Sequence, residues 1–239
     1  MKLNKRFFTL VVSILMVIAV PFIIYGFNLN SAIFDKDLYK QEFLKYNVYN
    51  NLEGYDVEDI NDDVLDYLQF EKNNKLIQND FFNEREKTHL LDVKNLINKI
   101  LAIFYFSIIL FFILLILLIL LLNFNFKIIF KKILIILSIG SFLTLLDAGL
   151  FFLLSNFDFV FVFDIFHKTF FSAGTFTFNP EFENIVVLYP ENLFFNFLVK
   201  IISNTILSSI IILFLSLLVI FIFFRQNFLK FFQKFPTRK

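Results

Sequence analysis

Four stretches of this 239-residue chain are apolar for longer than the ~20 residues a helix needs to cross a bilayer, and this limits what the chain can fold into. Phe7–Phe27, Ile100–Leu122 and Ile201–Phe224 hold no charged residue, and Ile133–Ser155 holds only Asp147. A soluble core has no use for four such runs. At 58% hydrophobic, the chain also lies above the ~45–50% usual for soluble domains. The first run follows the basic stretch Met1–Arg6, but it is long for a secretory signal and no A-x-A site follows, so it reads as a span. Pro21 inside it predicts a kink.

The basic residues give the direction of crossing. Lys2, Lys5 and Arg6 precede the first run; Lys127, Lys131 and Lys132 lie between the second and third; Arg225, Lys230, Lys234, Arg238 and Lys239 follow the fourth. No acid lies among them, whereas residues 28–99 and 156–199 are net acidic. Cytoplasmic loops concentrate Lys and Arg, so both termini are expected inside and two acidic segments outside. The expected layout is residues 1–27 as N-terminus and first span, 28–99 as an extracytoplasmic cap and 100–155 as spans two and three with a short basic link. Residues 156–199 form a Phe-rich outer loop, and 200–239 the fourth span and basic tail. The fold class expected is an all-α membrane protein of four transmembrane helices with a small, mostly helical cap.

Two spans carry polar stripes. Ser138, Ser141, Thr144 and Asp147 recur every three residues in the third; Asn204, Thr205, Ser208 and Ser209 mark the fourth. Such groups are expected to turn inward and hydrogen-bond between helices. Asp147 reads either as a functional carboxylate or as bundle glue.

In the cap, Phe34, Leu38, Tyr39, Phe43 and Tyr46 follow a helical period, as do Val57, Ile60, Val64, Leu65 and Leu68, with Asn50, Asn51 and Gly54 as the turn between them. Asn83 followed by Glu86 has the form of a capping box, so a third helix should start there and run on into the second span. His89 would ride on it about 16 Å from Ile100. In the Phe-rich loop, Thr175–Phe178 alternates like a short strand between Gly174 and Asn179-Pro180, and Pro190-Glu191 suits the first turn of the last helix.

Chemistry is sparse. Cys is absent, which excludes disulfides and thiol nucleophiles; Ser172-Ala173-Gly174 is no nucleophile elbow, and no phosphate-binding glycine loop exists. Nothing points to nucleic acid. His89 and His167, both in outer segments, are the candidate catalytic groups. Glu86 and Asp92 share a helix face with His89, Arg85 lies within a turn of it, and Asp164 stands to His167 as Glu86 does to His89. A carboxylate beside an imidazole fixes its tautomer and raises its basicity. The same residues admit two other readings: hydrogen-bonding histidines in a headgroup-level layer, or a metal site built from Glu-x-x-His and Asp-x-x-His.

Two motifs carry a family resemblance. Arg85-Glu86, His89 and Asp92-Val93-Lys94 match an R-E-x-x-H-x-x-D-V-K pattern. Phe166-His167, Phe170-Phe171, Phe176, Phe178, Pro190-Glu191 and Phe194-Phe195 match an F-H-x-x-F-F … W-x-F … P-E-x-F-F block, with Phe176 where Trp is usual. The pair, on a four-span layout, resembles the bacterial lipoprotein intramolecular transacylases. The resemblance implies transfer of the sn-2 acyl chain of a diacylglyceryl-Cys lipoprotein to its N-terminal Cys α-amine, giving a lyso-form lipoprotein. It implies no cofactor and no resident metal, with lipoproteins and membrane lipids as partners. It implies His167 as base and His89 as oxyanion donor or acid, or the reverse. Glu86 and Asp92 would orient His89, Asp164 would orient His167, and Arg85, Lys168 and Glu191 would steady loops or substrate. The competing classes are a non-catalytic assembly factor or sensor, and a metal-dependent membrane hydrolase.

Overall fold

The computed structural model describes residues 4–69, 75–171 and 176–232. Among them every regular element is helical: α1 (Lys5–Ile33), α2 (Lys36–Lys45), α3 (Val48–Asn51), α4 (Val57–Gln69), α5 (Glu84–Leu121), α6 (Phe126–Phe157), α7 (Phe159–Phe170), α8 (Ile185–Leu188) and α9 (Glu191–Phe232). The four apolar runs lie in α1, α5, α6 and α9, each long and apolar enough to cross a membrane. Helix α5 has 38 residues. At 1.5 Å per residue that is about 57 Å, well beyond the ~30 Å hydrocarbon core, so part of it is not needed for crossing. Helix α1 runs unbroken through Pro21.

The chain divides into two compact units. The first takes Met1–Tyr25, Phe104–Gly149 and Asn204–Lys239. Its core is aliphatic: Val12, Met16, Val20 and Ile24 of α1 pack with Leu114 and Leu118 of α5 and Ile136 of α6. Gly140 brings α6 hard against α1, since a Cβ there would lie 2.5 Å from Val20 Cβ. Small residues at such crossings give membrane helices the contact that hydrophobicity alone cannot supply in lipid. Ser138, Ser141, Thr144, Thr205 and Ser209 are buried, as the stripes predict, but the expected bonds between helices are not made. Ser138 and Thr144 donate to carbonyls of α6 itself, and among the described residues the hydroxyls of Ser141, Thr205 and Ser209 have no partner. Asp147 departs from its stripe and is exposed. Each three-residue step falls about 60° short of a full turn, so three steps carry Asp147 to the face opposite Ser138.

The second unit takes Gly26–Ile103 and Leu150–Ser203. Leu38, Phe43, Val57, Ile60, Val64 and Leu68, the periodic residues of the cap, are buried in its core with Phe82, Leu90, Leu188 and Leu193. The turn before α4 uses Gly54 at φ 94°, a left-handed position that suits glycine. Helix α5 starts as its capping box requires: Asn83 Oδ1 accepts from the Arg85 and Glu86 amides at 2.9 and 3.0 Å, and Glu86 Oε2 accepts from the Asn83 amide at 2.6 Å.

Two expectations need correction. Thr175 lies outside the described residues, and Phe176–Phe178 is not a strand: the Thr177 carbonyl is taken by a side chain, the Arg85 guanidinium, rather than by a neighbouring strand. The first part of the Phe-rich loop is instead the helix α7, capped by Asp158, whose Oδ1 accepts from the Phe161 amide at 2.9 Å. Pro190 stands one residue before α9, with its carbonyl accepting from the Leu193 amide at 2.9 Å.

Candidate active site

His89 sits in the second turn of α5, ahead of the apolar run that begins at Ile100, and His167 lies in the last turn of α7. Their rings face one another with centroids 6.4 Å apart and planes 18° from parallel. They are too far apart to stack directly or to hydrogen-bond. Aromatic rings enclose them. Phe171 contacts both, 5.0 Å from His89 and 5.4 Å from His167. Phe178 packs on His89 at 5.2 Å; Phe163 and Phe176 pack on His167 at 4.1 and 5.3 Å.

The two imidazoles are held differently. His167 Nδ1 lies 2.8 Å from the Phe163 carbonyl oxygen. A carbonyl only accepts, so Nδ1 carries the proton and the neutral ring keeps a bare Nε2. His89 is buried, and among the described residues its Nδ1 has no hydrogen-bond partner. Burial, then the neighbouring His167 and Arg85 charges, push its pKa down to about 4. Burial also lowers that of His167, against the opposing pull of the Phe163 carbonyl and of the Asp164 and Glu191 charges. Both rings therefore favour the neutral form at pH 7.

The other residues singled out from sequence divide into those that build the site's frame and those outside it. Glu86 is buried and does not orient His89. Beyond its bond to Asn83, its Oε1 accepts from the Ile185 amide at 2.7 Å, tying the start of α5 to α8. Asp92 is half-buried and bonds to neither histidine. Asp164 does not orient His167 either; it accepts from Lys168 Nζ at 2.6 Å on the exposed side of α7, and the backbone carbonyl of Phe163 fixes His167 instead. Glu191 opens α9 with its side chain exposed. Arg85 donates from Nη1 to Glu183 Oε1 at 2.7 Å and from Nη2 to the Thr177 carbonyl, with its guanidinium 5.0 Å over the Phe178 ring.

Sequence reasoning gave Glu183 no role, and read Phe163 and Phe178 only as part of a Phe-rich segment, 157–178, that would hold acyl chains. Glu183 is nearly fully buried, and its Oε2 also accepts from the Asn179 amide at 2.7 Å. An acid in so apolar a segment needs a cationic partner, and that was its signal. Among the described residues no group of three or more His, Asp or Glu is arranged to hold a metal ion. An acidic surface depression lined by Tyr49, Tyr55, Asp56, Glu58 and Asp62 shares no residue with the histidine site.

The family model for the lipoprotein intramolecular transacylase Lit matches residues 14–195. The chain belongs to that family. It is a membrane-integral acyltransferase that acts on lipoproteins. Among solved structures, Lit from Bacillus cereus is 26% identical with a TM-score of 0.73, covering 90% of this chain and 95% of that one. A variant of that protein with one histidine replaced by alanine is 25% identical, with a TM-score of 0.68 over 89% and 91% of the two chains. A second variant, with a histidine replaced by arginine, is 22% identical at a TM-score of 0.71 over 89% and 92%, a likeness of fold. No curated protein matches.

Proposed function

We propose that acyl transfer takes place between His89 and His167, on the outer face of the membrane, with both termini in the cytoplasm. The reaction moves the sn-2 acyl chain of a diacylglyceryl-Cys lipoprotein to the α-amine of that cysteine. The clustering of Lys and Arg at both termini and in the first two turns of α6 supports the orientation.

The single observation that carries the site is the closeness of the two imidazoles, 6.4 Å between centroids, inside an aromatic enclosure. His167 is the base. Its bare Nε2 takes a proton from the α-amine as the nitrogen attacks the ester carbonyl. The α-amine, with a pKa near ~8, gives its extra proton to solvent and attacks as the neutral form; the N–H proton shed as the C–N bond forms is the one His167 takes. The attack leaves a tetrahedral carbon bearing an oxyanion. His89, neutral and with an unused Nδ1, donates to that oxyanion as an uncharged electrophile. The C–O bond to glycerol then breaks, and His167 returns the proton to the departing oxygen. One C–N bond forms, one C–O bond breaks, and no covalent enzyme intermediate is needed. Nucleophile and ester belong to one molecule, so the protein's task is mainly alignment. The surrounding Phe side chains hold the acyl chains and exclude water. Arg85 and Glu86 fix the frame, while Glu191, with Asp164 and Lys168, faces the polar part of the substrate.

The test is expression of His167→Ala and His89→Ala in a cell lacking other N-acyltransferases, with mass spectrometry of the lipoprotein N-terminal peptide. Loss of the N-acyl lyso form in both supports the assignment. Its persistence in both overturns it.

A further inference from the structure

We infer that Glu183 is a positioning residue for the transfer, acting through Arg85 to fix the wall of the site that both histidines share. The inference rests on the histidine site proposed above. Phe176 packs on His167 and Phe178 on His89, so this one short segment contributes a wall to each imidazole. The residue between them, Thr177, gives its carbonyl to Arg85 Nη2. The same guanidinium lies over the Phe178 ring. Arg85 itself is about half exposed and has a long side chain with many rotamers. What selects one is Glu183, whose side chain is only 6% exposed and holds Nη1 at 2.7 Å. Glu183 is in turn anchored by the Asn179 amide through its other oxygen.

One buried carboxylate thus closes a loop of contacts, from α5 through Arg85 to Thr177, on to Asn179, and back. A planar guanidinium can serve a carboxylate and a carbonyl at once from separate nitrogens; an ammonium cannot reproduce that fork. Glu183 touches neither histidine. Its effect is on where Phe176 and Phe178 stand, and alignment errors on the order of 1 Å cost ~10²-fold in rate.

The experiment measures turnover of full-length enzyme in detergent or nanodiscs on a diacylglyceryl lipopeptide, per folded molecule. The variants are Glu183→Gln, Arg85→Gln, their double, Arg85→Lys, and His167→Ala as the control for the site. Glu183→Gln is expected to lower kcat by roughly 10- to 100-fold with KM changed less than about threefold. The double should be no slower than Arg85→Gln alone, because Glu183 acts only through Arg85. Arg85→Lys should behave like Arg85→Gln. If Glu183→Gln does not fold, Arg85→Lys, at an exposed position, decides alone: a loss of kcat supports the inference and wild-type turnover overturns it. Wild-type kcat in Glu183→Gln, or losses that multiply in the double, overturns it as well. Activity in His167→Ala would instead overturn the site, leaving these outcomes separate.

Discussion

The two units of this protein differ in how far their buried polar side chains reach. Among the described residues of the first, the hydroxyls of Ser141, Thr205 and Ser209 have no partner, and those of Ser138 and Thr144 find one only on their own helix. Ser138 Oγ donates to the Leu134 carbonyl and Thr144 Oγ1 to the Gly140 carbonyl, each four residues back. In the second, Ser155 also bonds four residues back, but other bonds span long stretches of chain: Glu86 to the Ile185 amide, Tyr189 Oη to Asn61 Oδ1 at 3.0 Å, and Asn184 Nδ2 to the Phe81 carbonyl at 2.8 Å. Local bonds leave helices free to slide and rotate, so the first unit depends on close packing such as Gly140 on Val20. Long-range bonds fix one element against another. The histidine pair belongs to the second unit, where such bonds can hold geometry tightly enough for alignment to count.

The comparison predicts large catalytic effects in the second unit and purely structural ones in the first. The largest is at His167. Losing a general base costs about 10²–10⁴-fold, so His167→Gln should leave almost no lyso-form product by mass spectrometry while the Tm in detergent stays near wild type. A normal product yield would remove the base from the scheme.

Acid should strike the same place. His89 titrates at about 4 in the folded protein against about 6.5 in an unfolded chain. Above pH 6.5 the ring is neutral in both states and its contribution to stability is whole. As pH falls from 6.5 through 4 the unfolded chain takes up the proton first, and stability is lost at up to about 1.4 kcal/mol per pH unit. Thermal unfolding followed from pH 7 to 4 should show that slope, and His89→Asn should flatten it. An equal slope in both proteins would mean that other groups carry the acid sensitivity.

Third in size is Glu86→Ala. It removes acceptors from the Asn83 and Ile185 amides, the latter bond buried. A buried donor left without a partner costs about 1–3 kcal/mol. The Tm should fall, and turnover per folded molecule should fall with it, because α5 carries His89. A lower Tm with unchanged turnover would show that α8 does not help to hold the site.

How much of this was legible in the sequence follows the same division. Spans, capping box and cap periodicity are local patterns, and they could be read directly. The Asn83–Glu86 box was visible, but the reach of Glu86 to Ile185 was not, because nothing local encodes it. Asp164, three residues before His167, suggested an orienting carboxylate; the Phe163 carbonyl does that work, and every helical residue has a carbonyl four positions back. The Thr-Phe alternation of 175–178 suggested a strand, yet period two also turns Phe176 and Phe178 to one side, here onto the histidines. Asp147 seemed aligned with its serines until helical drift over nine residues is counted. The pairing of the histidines was legible only through family resemblance.

In the first unit the effects should be structural and smaller. Gly140→Ala places a methyl 2.5 Å from Val20 Cβ, and the helices must separate. Overpacking of this kind costs about 1–3 kcal/mol, so the Tm should fall, while molecules that remain folded turn over at the wild-type rate. A turnover defect larger than the folded fraction explains would show that the α1–α6 crossing tunes the site, and the contrast between the units would fail. Smallest is Thr144→Val. It keeps the shape and deletes only the bond to the Gly140 carbonyl, which still accepts from its own helix backbone. Side-chain hydrogen bonds in membrane helices average about 0.6 kcal/mol, so the Tm should move by no more than a degree or two. A drop as large as that of Gly140→Ala would mean that the hydroxyl also bonds between helices, and that the first unit uses the same long-range polar logic as the second.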